Sequence, residues 1–159
     1  MEPTNMEPAG DKTPRRNRRR ENRVAAMQFL YIWESQRPAD PVVALADFLG
    51  MQEQPRDHYA FAESLVAGAL GHLDEIDRTL ARHAENWSVE RIAKVELAIL
   101  RLAIHELLRR RDIPPVVTIN EAIELAKAFG GDDSHRFVNG ILDRVKDTLD
   151  RPLREAAEG

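Results

Sequence analysis

Proline and glycine residues limit what this chain can fold into more than any other feature of its sequence. They divide the chain into segments of helix length, and none of these segments alternates apolar and polar residues with the two-residue period of a strand. Cysteine is absent, which excludes a disulfide framework, a thiol nucleophile and a cysteine-ligated zinc site. The sequence therefore predicts an all-α protein of about seven helices joined by short connections.

One of the predicted helices is much more apolar than the others. The segment from Val95 to Leu108 is apolar on most sides, which is typical of a helix at the centre of a domain. The predicted helices cover about 15–36, 42–49, 55–70, 72–83, 89–110 (with a bend near Lys94) and 118–129, and a seventh follows residues 132–134 and ends near 149.

Two of the predicted helix starts carry capping signals. Thr118 and Glu121 have the spacing of a capping box, in which the threonine hydroxyl and the glutamate each satisfy a backbone N–H at the helix start. Asp132, Asp133 or Ser134 is expected to cap the last helix, because short polar side chains are the ordinary caps. This capping role is preferred to a metal or acid–base cluster at the same place.

Charge is distributed unevenly along the chain. The formal net charge is −4, yet the segment from Lys12 to Arg23 contains seven basic residues and one acid, Glu21. Arginine guanidiniums grip phosphate oxygens and stack on exposed bases, so this asymmetry suggests a segment that binds an anionic polymer such as RNA. The alternative is a solvated charge run with no specific partner. We call residues 15–23 the arginine arm.

The domain boundaries follow from proline content and apolar pattern. Residues 1–14 contain three prolines and no apolar periodicity, and they are expected to form a disordered N-terminal tail. Residues 15–150 are expected to form one helical RNA-binding domain, followed by a short C-terminal tail at 151–159.

Helical geometry separates the aromatic residues of the first and last helices. At about 100° per residue, Tyr31 falls outside the apolar arc of the first helix, beside polar residues, and is expected to be available for contact. Phe137 lies at the edge of the apolar stripe of the last helix, where it either covers the rim of the core or reaches a partner. The apolar arc of the first helix contains Ala25, Ala26, Met27, Phe29, Leu30, Ile32 and Trp33, and the stripe of the last contains Val138, Ile141, Leu142, Val145 and Leu149.

The sequence contains no arrangement of residues that indicates catalysis, a cofactor or a metal. Its five histidines include no pair at the three- or four-residue spacing with which one helix binds a metal. No nucleophile–base pair and no nucleotide fingerprint is recognisable, and no apolar run reaches the length of a membrane span. We therefore expect a binding protein of the cytoplasm that is not an enzyme, needs no cofactor and does not bind a membrane.

Several segments resemble one protein family. They are Ile119–Lys127, Phe129–Gly130, Asp133–Ser134 and Phe137–Asp143, together with the arginine-rich start that leads into Gln28–Tyr31, and Val95–Glu96 followed by Ala98–Ala103. The chain is similar in these segments to the NusB family of bacterial transcription antitermination factors. The resemblance covers most of residues 15–146 and is weakest between 37 and 88.

The resemblance implies a fold and a function. The fold would be two packed helical subdomains, and the function would be binding of single-stranded boxA RNA in ribosomal RNA leader transcripts. Binding would be joint with NusE, a ribosomal protein of the small subunit, within the RNA polymerase antitermination complex. The family's RNA-binding positions correspond to Arg16, Arg18, Arg19, Arg20 and Arg23. The positions that face NusE correspond to Tyr31, Glu96, Phe129, Asp133 and Phe137.

Two residues depart from the pattern that the resemblance implies. Glu21 interrupts the arginine motif, so the individual base contacts do not follow from it. Phe129 falls inside an apolar arc by helical geometry, although the resemblance places it at the partner surface.

Two other functions are compatible with the sequence. NusB-like domains also occur at the start of ribosomal RNA methyltransferases, and a helical homo-oligomeric scaffold would need no specific RNA. The sequence leaves the oligomeric state open, a homodimer included.

Overall fold

The structure is a computed structural model that describes residues 14–85 and 87–157, so the expected N-terminal tail lies, except for Pro14, outside the described residues. Within these ranges it contains seven α-helices, two short 3₁₀ helices and no strand, which confirms the predicted all-α class. The helices are α1 Arg15–Gln36, α2 Pro41–Gly50, α3 Ala60–Gly71, α4 Leu73–His83, α5 Lys94–Arg109, α6 Pro115–Phe129 and α7 Ser134–Lys146. The 3₁₀ helices are Arg56–Tyr59 and Val89–Arg91.

Helix α5 lies at the centre, as its composition predicts. Every residue from Leu97 to Leu107 is buried, including the polar residues Arg101, His105 and Glu106. Helices α1 and α3 pack on one side of α5, with α2 against α1, and α4, α6 and α7 pack on the others. The two groups of helices therefore share α5 as their common core element.

The apolar patterns of α1 and α7 are confirmed by burial. Six of the seven arc residues of α1 are buried and Ile32 is half-buried, whereas Tyr31 is exposed. In α7 the stripe from Val138 to Val145 is buried and Phe137 is half-buried at its edge. Helix α7 ends at Lys146, three residues before the predicted end.

The fifth predicted helix is in fact two elements. Val89–Arg91 forms a 3₁₀ helix, and Ile92 and Ala93 are extended before α5 begins at Lys94. Lys94 was predicted as a bend and is the first residue of the long helix. The third predicted helix likewise begins as a 3₁₀ helix and becomes α-helical only at Ala60.

The predicted capping box is wrong. Helix α6 begins three residues earlier, at Pro115, because the fixed φ of proline suits the first helical position and its missing N–H is not needed there. Thr118 and Glu121 therefore lie inside the helix, and both are buried. They bond to other helices: the Thr118 hydroxyl donates to Glu106 at 2.9 Å, and the Glu121 carboxylate accepts from Arg20.

The predicted side-chain cap of α7 is also wrong. Asp133 occupies the cap position, but its side chain accepts no capping hydrogen bond. The Ser134 hydroxyl instead accepts from the Gly131 N–H at 2.9 Å and donates to Glu96 of α5 at 2.7 Å. The loop before α7 is thus held by tertiary contacts, and the Asp133 carboxylate is left to the surface.

The segment after α7 is attached to the junction between α5 and α6. The Arg151 guanidinium donates to the carbonyls of Glu106, Leu107, Arg111 and Ile113 at 2.8–3.3 Å. Satisfying carbonyls at the C-terminal end of a helix with a cation is favourable, because the helix dipole places negative charge there. Residues 151–157 therefore contribute to fixing the start of α6.

Candidate functional site

The arginine arm forms the first two turns of α1, and its arginines do not share one environment. Arg15, Arg16 and Arg20 are exposed, and Arg18 and Arg19 are half-buried. Arg23 is buried, with 3% of its surface exposed. A single helix therefore presents some arginines to solvent and turns one into the core.

A groove lies between the start of α1 and the first half of α6. Its volume is about 470 Å³. Helix α1 contributes four arginines to one wall, and α6 contributes three residues to the other. We call it the arginine groove, and its lining residues are Arg15, Arg16, Arg19, Arg23, Val117, Asn120 and Glu121.

Most of the positive charge in the arginine groove is not neutralised by a neighbouring acid. Among the described residues, no carboxylate forms an ion pair with Arg15, Arg16 or Arg19. Burial, followed by repulsion from Arg15 and Arg23, lowers the pKa of the Arg19 guanidinium, which lies 4.5 Å from the centre of the Phe61 ring. Closely spaced cations of this kind favour an anion that can bridge them.

Arg20 differs because it already holds a carboxylate. Its Nε and Nη2 donate to the two oxygens of Glu121 at 3.1 and 2.9 Å, and this hydrogen bonding raises the pKa of Arg20. The Arg20 side chain is half exposed. The two-point contact is the one that a guanidinium also makes with a phosphate, so an incoming phosphate would compete with Glu121.

Arg23 is buried and forms an ion pair inside the domain. Its guanidinium donates to both oxygens of Glu106 on α5, at 3.0 and 2.8 Å, and the same carboxylate accepts from Thr118 on α6. This buried node connects α1, α5 and α6. It fixes the two walls of the arginine groove relative to each other.

The acid that interrupts the arginine motif lies away from the arginine groove. The Glu21 carboxylate is 2.8 Å from Nε2 of His58, whose side chain is buried in the 3₁₀ helix before α3. Next to it, the buried Asn22 bonds to the His58 carbonyl and to the Ala62 N–H. Glu21 and Asn22 therefore attach the arm to α3, and Glu21 does not line the arginine groove.

The five residues that the resemblance assigned to a protein partner line two cavities. Tyr31 and Phe129, each 41% exposed, line one cavity of about 390 Å³. Glu96, Asp133 and Phe137 line another of about 360 Å³. The first cavity includes Val95 and the second includes Glu96, so both cavities reach the start of α5. We call the two cavities together the acid–aromatic face.

The two acids of the acid–aromatic face differ in their contacts. Glu96 is half-buried and accepts a hydrogen bond from Ser134 at 2.7 Å. The Asp133 side chain is 88% exposed, and among the described residues its ion pairing is limited to a 3.8 Å contact with Arg136. Asp133 therefore presents a charge that a partner can reach without first breaking a strong internal bond.

Phe129 shows a limit of the helical-wheel argument. The wheel placed it within an apolar arc, yet it is partly exposed, because α6 ends at Phe129 and Gly130 is already extended. At the last residue of a helix, the neighbouring turn that would cover the side chain is missing. The resemblance, rather than the periodicity, placed this residue at the surface.

Trp87 was missed by the sequence analysis. It is 51% exposed, lines the same cavity as Asp133, and its ring packs edge-on against Phe137 with centroids 6.1 Å apart. The available signal was a single tryptophan in a short polar connection between two helices. Val117 and Asn120 were missed in the arginine groove for a different reason: no local pattern assigns them a role, and only packing places them opposite the arm.

The described residues show neither a metal-binding cluster nor a membrane-spanning helix. Within residues 14–85 and 87–157, no group of three or more histidine and acidic side chains is arranged to hold a metal ion. No helix in that part of the chain has both the length and the apolar character needed to cross a membrane.

Comparison with known proteins gives consistent matches along the chain. The model of the NusB family matches residues 20–147. The chain is 45% identical over 138 residues to the transcription antitermination protein NusB of Geobacter sp. strain M21, which covers 82% of this chain and 95% of the relative. It is 42% identical over 132 residues to that of Bacillus mycoides strain KBAB4, with 83% and 99% covered.

Solved structures share the fold. A structure of T. maritima NusB has a TM-score of 0.75 at 37% identity and covers 92% of this chain and 95% of that chain. A crystal structure of antitermination factors NusB and NusE in complex with dsRNA has a TM-score of 0.76 at 26% identity and covers 84% of this chain and 98% of that chain.

Proposed function

This chain belongs to the NusB family of transcription antitermination proteins, and on that premise we propose that it binds boxA-type RNA of ribosomal RNA leader transcripts jointly with NusE. The pair would act in the cytoplasm within the RNA polymerase antitermination complex. The chain would contribute two binding surfaces and no catalytic step.

The arginine groove is the main observation that supports RNA binding. It places the guanidiniums of Arg15, Arg16 and Arg19 around one space of about 470 Å³ in a chain whose net charge is negative. Single-stranded RNA is the favoured ligand, because sequence-specific recognition requires unpaired bases whose edges a protein can reach. A guanidinium can both bind a phosphate and stack on such a base.

The acid–aromatic face supports the second partner. Aromatic side chains are enriched at protein interfaces, and here Tyr31, Phe129 and Trp87 are partly exposed, with Trp87 in the same cavity as Glu96 and Asp133. Such a surface complements a protein that presents basic and apolar side chains, as a ribosomal protein does. A solved relative occurs in complex with NusE and dsRNA, which supports NusE as a partner of this chain.

The deciding experiment compares recognition of RNA by this chain alone with recognition by this chain together with NusE. Electrophoretic mobility shifts would be measured with boxA-type RNA, a scrambled strand of equal composition and a boxA duplex, with and without NusE. We expect the affinity ratio of boxA-type to scrambled RNA to rise when NusE is present, because a composite surface offers more base contacts. An equal ratio would contradict joint recognition. Absence of binding to all three RNAs would instead favour the scaffold alternative.

A further inference from the structure

The wall of the arginine groove formed by α6 carries side chains that phosphate binding does not require. We propose that Val117 and Asn120 form a base-reading site, in which one nucleobase of the bound RNA packs on Val117 and hydrogen-bonds to the Asn120 carboxamide. This inference rests on the proposed RNA binding and adds the position at which base identity is recognised.

The two residues lie on one face of α6. They are three positions apart, which places their side chains side by side on a helix, and both line the arginine groove opposite the arm. Asn120 is exposed, and Val117 is 40% exposed, which leaves an apolar surface open beside the guanidiniums of Arg15 and Arg16. An apolar and a hydrogen-bonding group therefore face the same cationic wall.

This part of α6 is held firmly in place. Thr118 and Glu121, which lie next to Val117 and Asn120 in sequence, are bonded to Glu106 of α5 and Arg20 of α1. The turn begins at Pro115, which restricts the backbone further. A side chain on such a fixed turn loses little additional freedom on binding, which favours specific recognition.

The two walls of the arginine groove can recognise different parts of an RNA, the phosphates on one side and a base on the other. The arginines bind phosphates, which every RNA carries, so they supply affinity without sequence information. A carboxamide has one acceptor oxygen and two N–H donors, and this combination can match the edge of one base and mismatch another. Val117 supplies a surface for the base ring whatever the base.

The size of the arginine groove is compatible with this occupant. A volume of about 470 Å³ falls within the range typical of pockets that hold small organic ligands, roughly 300–1,000 Å³. We therefore assign one base to this wall, with its flanking phosphates on the arm.

The test compares base preference with salt dependence in the full chain. Affinities would be measured by fluorescence anisotropy for a boxA-type RNA and for each of its single-base variants, at several salt concentrations. In the wild type we expect at least one position where a base change weakens binding about tenfold, as one two-point base contact would give. In Asn120→Ala a base change at that position should no longer alter the affinity. The slope of log affinity against log salt should stay unchanged, because the phosphate contacts remain.

Two further variants sharpen the result. Val117→Ser should lower the affinity for every RNA by a similar factor of about four, which corresponds to the loss of roughly one buried methylene. Asn139→Ala on α7 is the matched control, because Asn139 does not line the arginine groove, and it should retain the wild-type base preferences.

The possible outcomes distinguish a failure of the base-reading site from a failure of the proposed RNA binding. If Asn120→Ala keeps every base preference, or if the wild type binds RNA with no preference at any position, the base-reading site is wrong and RNA binding by the arm stands. If the wild type binds none of the RNAs, the proposed function itself fails. A loss of NusE binding in Asn120→Ala with unchanged RNA preferences would assign this wall to a protein contact and overturn the inference.

Discussion

Arg23 of α1 and Glu106 of α5 form a buried two-point ion pair, with Nε–Oε2 and Nη2–Oε1 distances of 3.0 and 2.8 Å and side chains that are 4% and 2% exposed. An arginine of the arm is thereby used to build the domain. Its partner carboxylate also accepts a hydrogen bond from Thr118. The position of the arginine groove consequently depends on a charge pair in the core.

Replacing Arg23 should destabilise the fold. Arg23→Gln leaves the Glu106 carboxylate buried without its cation, which typically costs about 3–5 kcal/mol in the free energy of unfolding. Urea denaturation followed by circular dichroism measures this change. Arg16→Gln, on the exposed side of the same helix, is the matched control and should alter stability by less than about 0.5 kcal/mol. Equal stability of the two variants would contradict the structural role of Arg23.

The arginines of the arm should determine the salt dependence of RNA binding. If three to five of them contact phosphates, the slope of log affinity against log salt should be roughly −2 to −3.5. The double variant Arg16→Gln, Arg19→Gln should reduce its magnitude by about 1.4, at ~0.7 per lost contact. Arg82→Gln on the exposed surface of α4 is the control. A double variant with the wild-type slope would exclude these residues as phosphate contacts.

Glu121 should restrain RNA binding. It holds the Arg20 guanidinium and places a negative charge in the arginine groove. Glu121→Gln removes that charge and releases Arg20, so RNA affinity should rise and the salt slope should steepen by about 0.7 if Arg20 gains one phosphate contact. The same anisotropy titration measures both quantities. A drop in affinity would show instead that Arg20 must be oriented by Glu121 in order to bind.

Asp133 should act in partner binding and not in capping. Since its side chain makes no capping hydrogen bond and is largely exposed, Asp133→Asn should leave the melting temperature nearly unchanged. Loss of the charge should lower the affinity for NusE about tenfold, as for a charged hydrogen bond of roughly 1.4 kcal/mol. Calorimetry and a titration with NusE measure the two effects, with Asp47→Asn on the exposed side of α2 as the control. A variant that melts much earlier but binds NusE normally would make Asp133 a structural residue.

His105 should make the fold sensitive to mild acid. It is 3% exposed, and burial lowers its pKa from 6.5 to about 4. The folded protein therefore keeps this imidazole neutral at pH values where the unfolded chain binds a proton. Its contribution to stability is complete above pH 6.5 and is lost as the pH falls towards 4, by roughly 3 kcal/mol in total.

Urea denaturation between pH 7 and 4.5 tests the role of His105. In His105→Gln the decline in unfolding free energy should be shallower than in the wild type, whatever the stability of the variant at pH 7. His135→Gln, which alters a half-buried histidine of α7, should retain the wild-type decline. If the unfolding free energy of the wild type and of His105→Gln falls in parallel with pH, His105 is not the source of the acid sensitivity.

Local sequence patterns determined the fold class and the faces of its main helices. The three- and four-residue spacing of apolar residues identified the buried sides of α1 and α7 and the exposure of Tyr31, and the apolar composition of Val95–Leu108 identified the central position of α5. These features depend on residues within a few turns of one another, so the sequence displays them directly. The resemblance to a known family added Phe129, which periodicity had assigned to the core.

Only the tertiary structure decided how the charged residues are used. Arg23 and Glu106 are 83 residues apart in sequence, and Arg20 and Glu121 are 101 apart. At about 100° per residue Arg23 falls between Leu30 and Met27 in the apolar arc of α1, but no local pattern indicates its partner or that α6 supplies the opposite wall of the arginine groove. The same packing supplied the partners of Thr118 and Glu121, which the helix start at Pro115 had already removed from capping, and placed Trp87 beside Phe137. A polar side chain takes its partner from whatever the packing of helices brings within hydrogen-bond distance, and that packing is set by the apolar core as a whole.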